Sequence, residues 1–241
     1  MSITTDSLIK AREGSVQSRD NRPAPKTVSG LHDAAFRGLG RHVAVPSKIL
    51  DLGAGTGAWA ARLIEHGHRV TCLDNDETAF ALDGVSFVRA NLNEEFSKAL
   101  DEEYAVVTAI EVIEHLENPT HFLRQCRSLL SEEGVLLITT PNVECVAGRL
   151  RFLRSGDFRM FGRDERFNDH THITPIQSYM FEKMSKAAGL RILSHTTSKA
   201  ASEISGRLSR ALCSVVSPFV KGIKGGDNHI YTLTRTRPEA G

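Results

Sequence analysis

The sequence predicts an α/β fold built on a doubly wound, mostly parallel, Rossmann-like sheet. Three observations carry that expectation. Short apolar runs alternate with amphipathic stretches along residues 31–139, as strands do when they are buried on both faces and joined by crossover helices. A glycine-rich segment, Asp51-Leu-Gly-Ala-Gly-Thr-Gly57, lies between the first run and the stretch after it, where such folds turn from strand to helix. The chain has 241 residues, enough to bury one full core.

Taken in order, residues 1–28 are polar, contain Pro23 and Pro25 and show no sustained period, which predicts a flexible tail. Leu31, Ala34, Ala35, Leu39 and Val43 recur at helical spacing and predict a helix leading into the core. Lys48 to Leu52 reads as the first strand, and Ala58 to His66 as a helix stopped by Gly67. Arg69 to Leu73 and Val85 to Arg89 read as strands, Glu94 to Leu100 as a short helix, and Tyr104 to Ile110 as the fourth strand. Asn118 as N-cap with Pro119 at the first helical position opens a helix running to about Leu130. Val135 to Thr139 is the fifth strand. Right-handed crossovers between these strands make the sheet doubly wound.

Beyond Asn142 the pattern is less regular. Cys145 to Leu153 reads as a helix. Ser155 to Asp169 is rich in Gly, Arg and Asp and reads as a loop. Thr174 is expected to cap a helix with Pro175 at its first position. Arg191 to His195 and His229 to Thr234 are candidates for the last two strands. Residues 29–241 thus read as a single domain.

The composition, 40% hydrophobic and 24% charged, is that of an ordinary globular protein. A net charge of +1 argues against a nucleic-acid partner. No apolar run reaches the roughly 18 residues of a spanning helix, and the first thirty residues hold no apolar leader core. Cys72, Cys126, Cys145 and Cys213 are scattered without a CxxC pair, which argues against a thiolate zinc site or disulfide frame and makes a reducing, cytoplasmic setting the expectation.

The glycine segment points to a nucleotide. Glycines allow a sharp turn and close approach of a ligand, and the helix behind them offers free N–H groups. Asp74 ends the next strand, where an acid can accept hydrogen bonds from ribose hydroxyls. Gly53, Gly55 and Ala58 also satisfy the looser dinucleotide fingerprint, so an NAD-dependent oxidoreductase is the alternative from another class.

Further motifs favour a different nucleoside. Ile49 to Gly57, Cys72-Leu73-Asp74, Phe87 to Asn93 and Ala109-Ile-Glu-Val-Ile-Glu-His-Leu-Glu-Asn-Pro119 follow one another in order, with Leu137-Ile-Thr-Thr-Pro-Asn142 after them. This stretch resembles the class I S-adenosylmethionine (SAM)-dependent methyltransferases. The resemblance implies a seven-stranded sheet whose last strand is antiparallel, with Ile230 to Thr234 inserted across Lys221 to Asn228. It also implies that Asp51 and the Gly53, Ala54, Gly55 and Gly57 backbone hold the methionine part. Asp74 and Asn75 would lie at the ribose, Asn91 and Leu92 at the adenine, and Ile110 and Glu111 beside the sulfonium. Asn91 stands where the family usually has Asp; an amide oxygen still accepts a hydrogen bond but carries no charge.

An alcohol acceptor needs its proton removed, and candidates cluster after strand four: Glu111, Glu114 and His115, spaced to share one helical face. His170 and His172 follow in Asn168-Asp-His170-Thr-His172-Ile-Thr-Pro175. In one reading His115 or His172 is a general base. In the other, Glu111, Glu114, His115 and His170 form an oxygen–nitrogen site for a divalent cation, as the Glu-x-x-Glu-His resemblance to metal-using ribose 2′-O-methyltransferases and quinone-pathway O-methyltransferases implies. The segment of about 143–175 would be an acceptor-side insertion.

Arg149, Arg151, Arg154, Arg159, Arg163 and Arg166 are dense there, either as a solvated face or as a phosphate-recognising one. Glu203 to Phe219 carries a one-sided apolar stripe, flanked by Arg207, Arg210, Lys221 and Lys224. It reads as core, as a dimer contact or as a membrane-surface helix; both monomer and homodimer remain open. The Arg-Phe-Leu-Arg, His-Ile-Thr-Pro and Gly-Asp-Asn-His-Ile segments, with the motifs above, resemble bacterial methyltransferases of surface-polysaccharide assembly. That resemblance implies O-methylation of a sugar hydroxyl on a glycan or small molecule. The alternative is metal-dependent O-methylation of a ribose or phenol.

Overall fold

Successive residues of each strand face opposite sides of one sheet, and that alternation organises the computed structural model, which describes residues 23–162, 171–198 and 207–236. Seven strands, β1 (Lys48–Leu52), β2 (Arg69–Asp74), β3 (Ser86–Arg89), β4 (Tyr104–Ile110), β5 (Leu130–Pro141), β6 (Leu190–Thr197) and β7 (Asn228–Arg235), lie in the order β3-β2-β1-β4-β5-β7-β6. β7 runs antiparallel to both its neighbours, as the resemblance implied. On one face Leu50, Leu52, Val107, Ala109, Leu136 and Ile138 pack with Phe122 and Leu123 of α3 (Pro119–Leu129) and Phe181 of α5 (Ser178–Ala187). On the other, Ile49, Val106, Ile110 and Leu137 pack with Leu31 and Leu39 of α1 (Leu31–Leu39) and Trp59 and Leu63 of α2 (Ala58–Glu65). Two covered faces explain why the central runs Val106–Ile110 and Val135–Ile138 are apolar apart from Thr108.

The expected boundaries shift for local reasons. α1 ends at Leu39, short of Val43, because Gly38 and Gly40 weaken its last turn; Gly40 N–H closes it on Phe36 O. The short helix expected over Glu94 to Leu100 is a 3-10 turn, Phe96–Ala99. α3 begins as expected, the Asn118 side chain accepting from His121 N–H at 3.0 Å. β5 starts at Leu130, so the residues before Val135 are strand as well. α4 (Val146–Ser155) follows Cys145 at its N-cap.

The helix expected at Pro175 starts instead at Ser178. The Thr174 hydroxyl is spent on Leu116 O at 2.6 Å, so it cannot cap. Ser178 N–H is met by the Glu144 carboxylate at 2.6 Å, a negative charge at the positive end of α5. Of the stripe over Glu203 to Phe219, Arg207–Val216 is helix α6 and Ser217–Phe219 a 3-10 turn; residues 203–206 lie outside the described residues. Residues 23–28, read as the end of a tail, run past the glycine loop, where Ala24 O accepts from Thr56 Oγ1 at 3.0 Å. Among the described residues no helix is long and apolar enough to cross a membrane.

Candidate active site

β1 delivers the chain into a loop that turns through Gly53, Gly55 and Gly57 at φ 69, 52 and 83. Gly53 needs this freedom twice over, because a Cβ there would lie 2.5 Å from Val112 Cγ2. The loop is tied to the end of β2: Gly53 N–H donates to Leu73 O at 2.8 Å, and Gly55 N–H to Asp74 Oδ2 at 2.8 Å. Asp74, Asn75, Asn91, Leu92 and Asn93 then line a cleft of about 270 Å³ with Gly53, Glu111, Val112, His115 and Leu116. Asn91 is exposed at its mouth, its Oδ1 accepting from Asn93 N–H at 3.0 Å and its Nδ2 donating to Glu94 at 3.1 Å.

A second lobe of about 340 Å³ shares Gly53, Glu111 and His115 with the first. Asp51, Ala54, Gly55, Trp59, Ile110, Met160 and His172 wall it, and residues 25–28 cross its rim. Asp51 is 2% exposed. Its Oδ1 accepts from the Thr108 hydroxyl at 3.0 Å, while Oδ2 meets no partner among the described residues. Burial, with Asp74 nearby, raises this carboxyl from 3.8 to about 7 despite the Thr108 bond. A buried carboxylate oxygen without a donor, at the wall of a cleft, is complementary to a cation. The residues present therefore fit SAM, whose methionine end carries an ammonium and whose nucleoside end presents hydroxyls to Asp74.

The acid–histidine group is split. Glu111 adopts a left-handed backbone, φ 54, and only Ile113–His115 form a 3-10 turn. The single helical face expected for Glu111, Glu114 and His115 is thus not made. Glu111 turns toward β5 and β7, where Thr139 Oγ1 donates to Oε1 at 3.0 Å and Asn228 Nδ2 to Oε2 at 2.6 Å. Burial raises its carboxyl to about 7, against the pull of these two bonds. Strain of this kind is held only where the surroundings over-determine it.

Glu114 is fully buried and groups with His115 and His172, one ligand-type atom from each lying within 4.8 Å of the others. Glu114 O accepts from Ile173 and Thr174 N–H, at 3.0 and 2.9 Å, which pins the 171–174 segment over the 3-10 turn. Thr171 Oγ1 lies 2.8 Å from His115 Nδ1. His172 Nδ1 lies 2.9 Å from Met160 O; a carbonyl only accepts, so Nδ1 carries the proton and the basic lone pair is on Nε2. The two imidazoles meet edge to face at 4.6 Å. His170, of the expected metal set, lies outside the described residues.

Several residues escaped the sequence reading. Thr108, Thr139, Asn228 and Met160 (φ 70) hold Asp51, Glu111 and His172 in place. The signal for Asn228 was the Gly-Asp-Asn-His-Ile segment, whose partner is Thr-Thr-Pro-Asn: Pro141 pairs with Asn228 across β5 and β7, and Asn142 Nδ2 donates to Gly225 O at 3.0 Å. Of the arginines, Arg159 is taken by Asp227 at 2.7 Å and Arg149 donates to Glu144 O at 2.6 Å; both serve the framework. Arg163 and Arg166 lie outside the described residues.

A family described as "Methyltransferase domain" matches residues 27–195. The ubiquinone biosynthesis O-methyltransferase of Rickettsia bellii is 34% identical over 101 residues, covering 39% of this chain and 42% of the relative. That of Pseudomonas fluorescens is 26% identical over 103 residues, 39% of this chain and 44% of the relative. The matches thus span less than half the length of these curated relatives. Among solved structures, a SAM-dependent methyltransferase from Archaeoglobus fulgidus has a TM-score of 0.59 at 17% identity, over 85% of this chain and 92% of its own. The Burkholderia thailandensis 1,6-didemethyltoxoflavin-N1-methyltransferase, solved with S-adenosylhomocysteine, has a TM-score of 0.56 at 19% identity, over 96% and 85%. At these identities the structures speak to the fold alone.

Proposed function

We infer the function from one premise: the chain belongs to the methyltransferase-domain family and carries a SAM-dependent methyltransferase fold. On it we propose that the protein is an O-methyltransferase acting on a sugar hydroxyl of a glycan or small molecule. SAM supplies a methyl group already activated on a sulfonium, which leaves alignment, dehydration and proton removal to the protein. Asp51 holds the donor's ammonium and Asp74 its ribose, with Leu92 at the adenine. The observation that carries the acceptor side is the His172 tautomer. With Nδ1 fixed on Met160 O, Nε2 is the acceptor for an alcohol proton, and His115 and Glu111 flank it on the cleft wall. A base so placed contributes ~10²–10⁴-fold. The likeness to surface-polysaccharide methyltransferases supports a sugar; the names of the ubiquinone-pathway relatives support oxygen as the methylated atom. The four unpaired thiols suit a reducing compartment, which we take to be the cytoplasm.

The test is S-adenosylhomocysteine production from SAM across sugars, nucleotide-sugars, phenols and RNA ends. We expect turnover with a sugar hydroxyl and its loss in His172→Ala or His115→Ala, with donor binding kept in calorimetry. Turnover surviving in both variants removes the histidine base. A second reading rests on the Glu114, His115 and His172 group: a divalent cation there would orient a vicinal diol of a ribose or catechol. Octahedral ligands at 2.0–2.1 Å sit about 3 Å apart, so that site would need the three groups to draw together. Activity unchanged by exhaustive chelation ends this reading.

A further inference from the structure

The fold leaves one face whose chemistry the donor and acceptor sites do not use. α4 and α6 pack on each other, and the chain leaving α6 returns alongside α4: Val146 N–H donates to Lys224 O at 3.1 Å, and Gly222 lies beside Arg149. On these elements Leu153 is 84% exposed and Phe219 85%, with Phe152, Leu212 and Val215 also exposed. Burying such side chains is the ordinary outcome, and a cluster of them outside marks an interaction surface.

Charge says what covers it. Residues 146–155 and 211–224 hold Arg149, Arg151, Arg154, Lys221 and Lys224 and no Asp or Glu, although the whole chain is nearly balanced at +1. Arg154, Lys221 and Lys224 are exposed around the apolar side chains. A second copy docked symmetrically would bring this basic rim against itself. An anionic bilayer offers the opposite: acyl chains for Leu153 and Phe219, phosphates for the cations.

We propose that the face formed by α4, α6 and residues 217–224 docks peripherally on anionic phospholipid, so that the cleft works at a membrane surface. Met160, five residues past α4, lines the cleft beside His172, so docking brings bilayer-borne acceptors close to His172. This purpose rests on the proposed O-methyltransferase reading; the docking itself does not.

Flotation of the full chain with phosphatidylcholine–phosphatidylglycerol vesicles and with phosphatidylcholine alone tests it. We expect recovery with the anionic vesicles only, lost on raising the salt. The Leu153→Glu/Phe219→Glu variant should lower the bound fraction at least about tenfold, and Lys221→Glu/Lys224→Glu should do likewise by charge. Both variants should keep the Tm and S-adenosylhomocysteine affinity of the parent, which separates lost docking from lost folding. Absence of binding to anionic vesicles overturns the proposal, as do variants that float like the parent. So does a parent dimer in light scattering that Leu153→Glu/Phe219→Glu dissolves, which would make the face a contact between copies. Failure of every acceptor to be methylated, with flotation intact, would instead sink the proposed function.

Discussion

The two walls of the cleft are built differently. The donor wall comes from short contiguous segments at the ends of β1 and β2, held by backbone hydrogen bonds such as Gly53 N–H to Leu73 O. The acceptor wall is assembled from pieces far apart in sequence: Glu111 meets Asn228 across 117 positions, and His115 meets Thr171 across 56. The lesson is that binding the donor and activating the acceptor should respond to separate mutations, because few contacts serve both. Glu111 and His115 alone of the acid–histidine group border both lobes.

The sharpest test of that separation is His172→Ala. We expect turnover to fall ~10²–10⁴-fold with S-adenosylhomocysteine affinity within about twofold, measured by steady-state kinetics and calorimetry. An equal loss of both would show that the walls are not independent.

Next comes a pair of glycines. Gly226, in the turn before β7, has φ +85, and a Cβ there would lie 2.4 Å from Thr197 Cβ and 2.6 Å from Ser198 O. Gly226→Ala should cost about 2–4 kcal/mol of stability in denaturant melts. Gly55 has φ +52 with open space around it, so Gly55→Ala should cost only about 1 kcal/mol while weakening donor binding. The reverse ranking would place the strained framework on the donor side.

Asp51→Asn probes the donor wall alone and should weaken SAM about tenfold, the effect of one lost charge-assisted bond. Its pH signature is specific. The folded carboxyl sits near 7 against 3.8 unfolded, so between those values the folded state binds more protons. Stability of the ligand-free protein therefore falls as pH rises through that window, and Glu111, raised from 4.5 to about 7 by burial, acts in the same direction. SAM affinity should move oppositely, rising toward neutral pH as Asp51 becomes charged. Asp51→Asn should flatten the affinity profile and reduce the stability slope; parallel trends in the two would contradict the assignment. The smallest effect is expected at the exposed Asn91, where Asn91→Asp should change donor affinity by about threefold or less, because its amide already serves Asn93 and Glu94.

Much of this was legible in the chain. Five strands, the Asn118 cap and the inserted strand stand where alternation, capping chemistry and the family likeness put them. The misses share a cause. Thr174 looked like a cap, but its hydroxyl found Leu116 O, and Glu144 supplied a carboxylate to Ser178 from 34 positions away. The shared helical face of Glu111 and Glu114 failed because Thr139 and Asn228 draw the first carboxylate across the sheet.

By itself, then, the sequence determined the sheet and the donor loop. Both follow from local rules: period-two burial, the left-handed freedom of glycine at Gly53 and the side-chain chemistry of a few adjacent residues. Only the tertiary structure decided which acids and histidines face one another. Those pairings depend on the register of β5 against β7 and on directional hydrogen bonds between distant segments, and such geometry leaves no periodic trace along a chain.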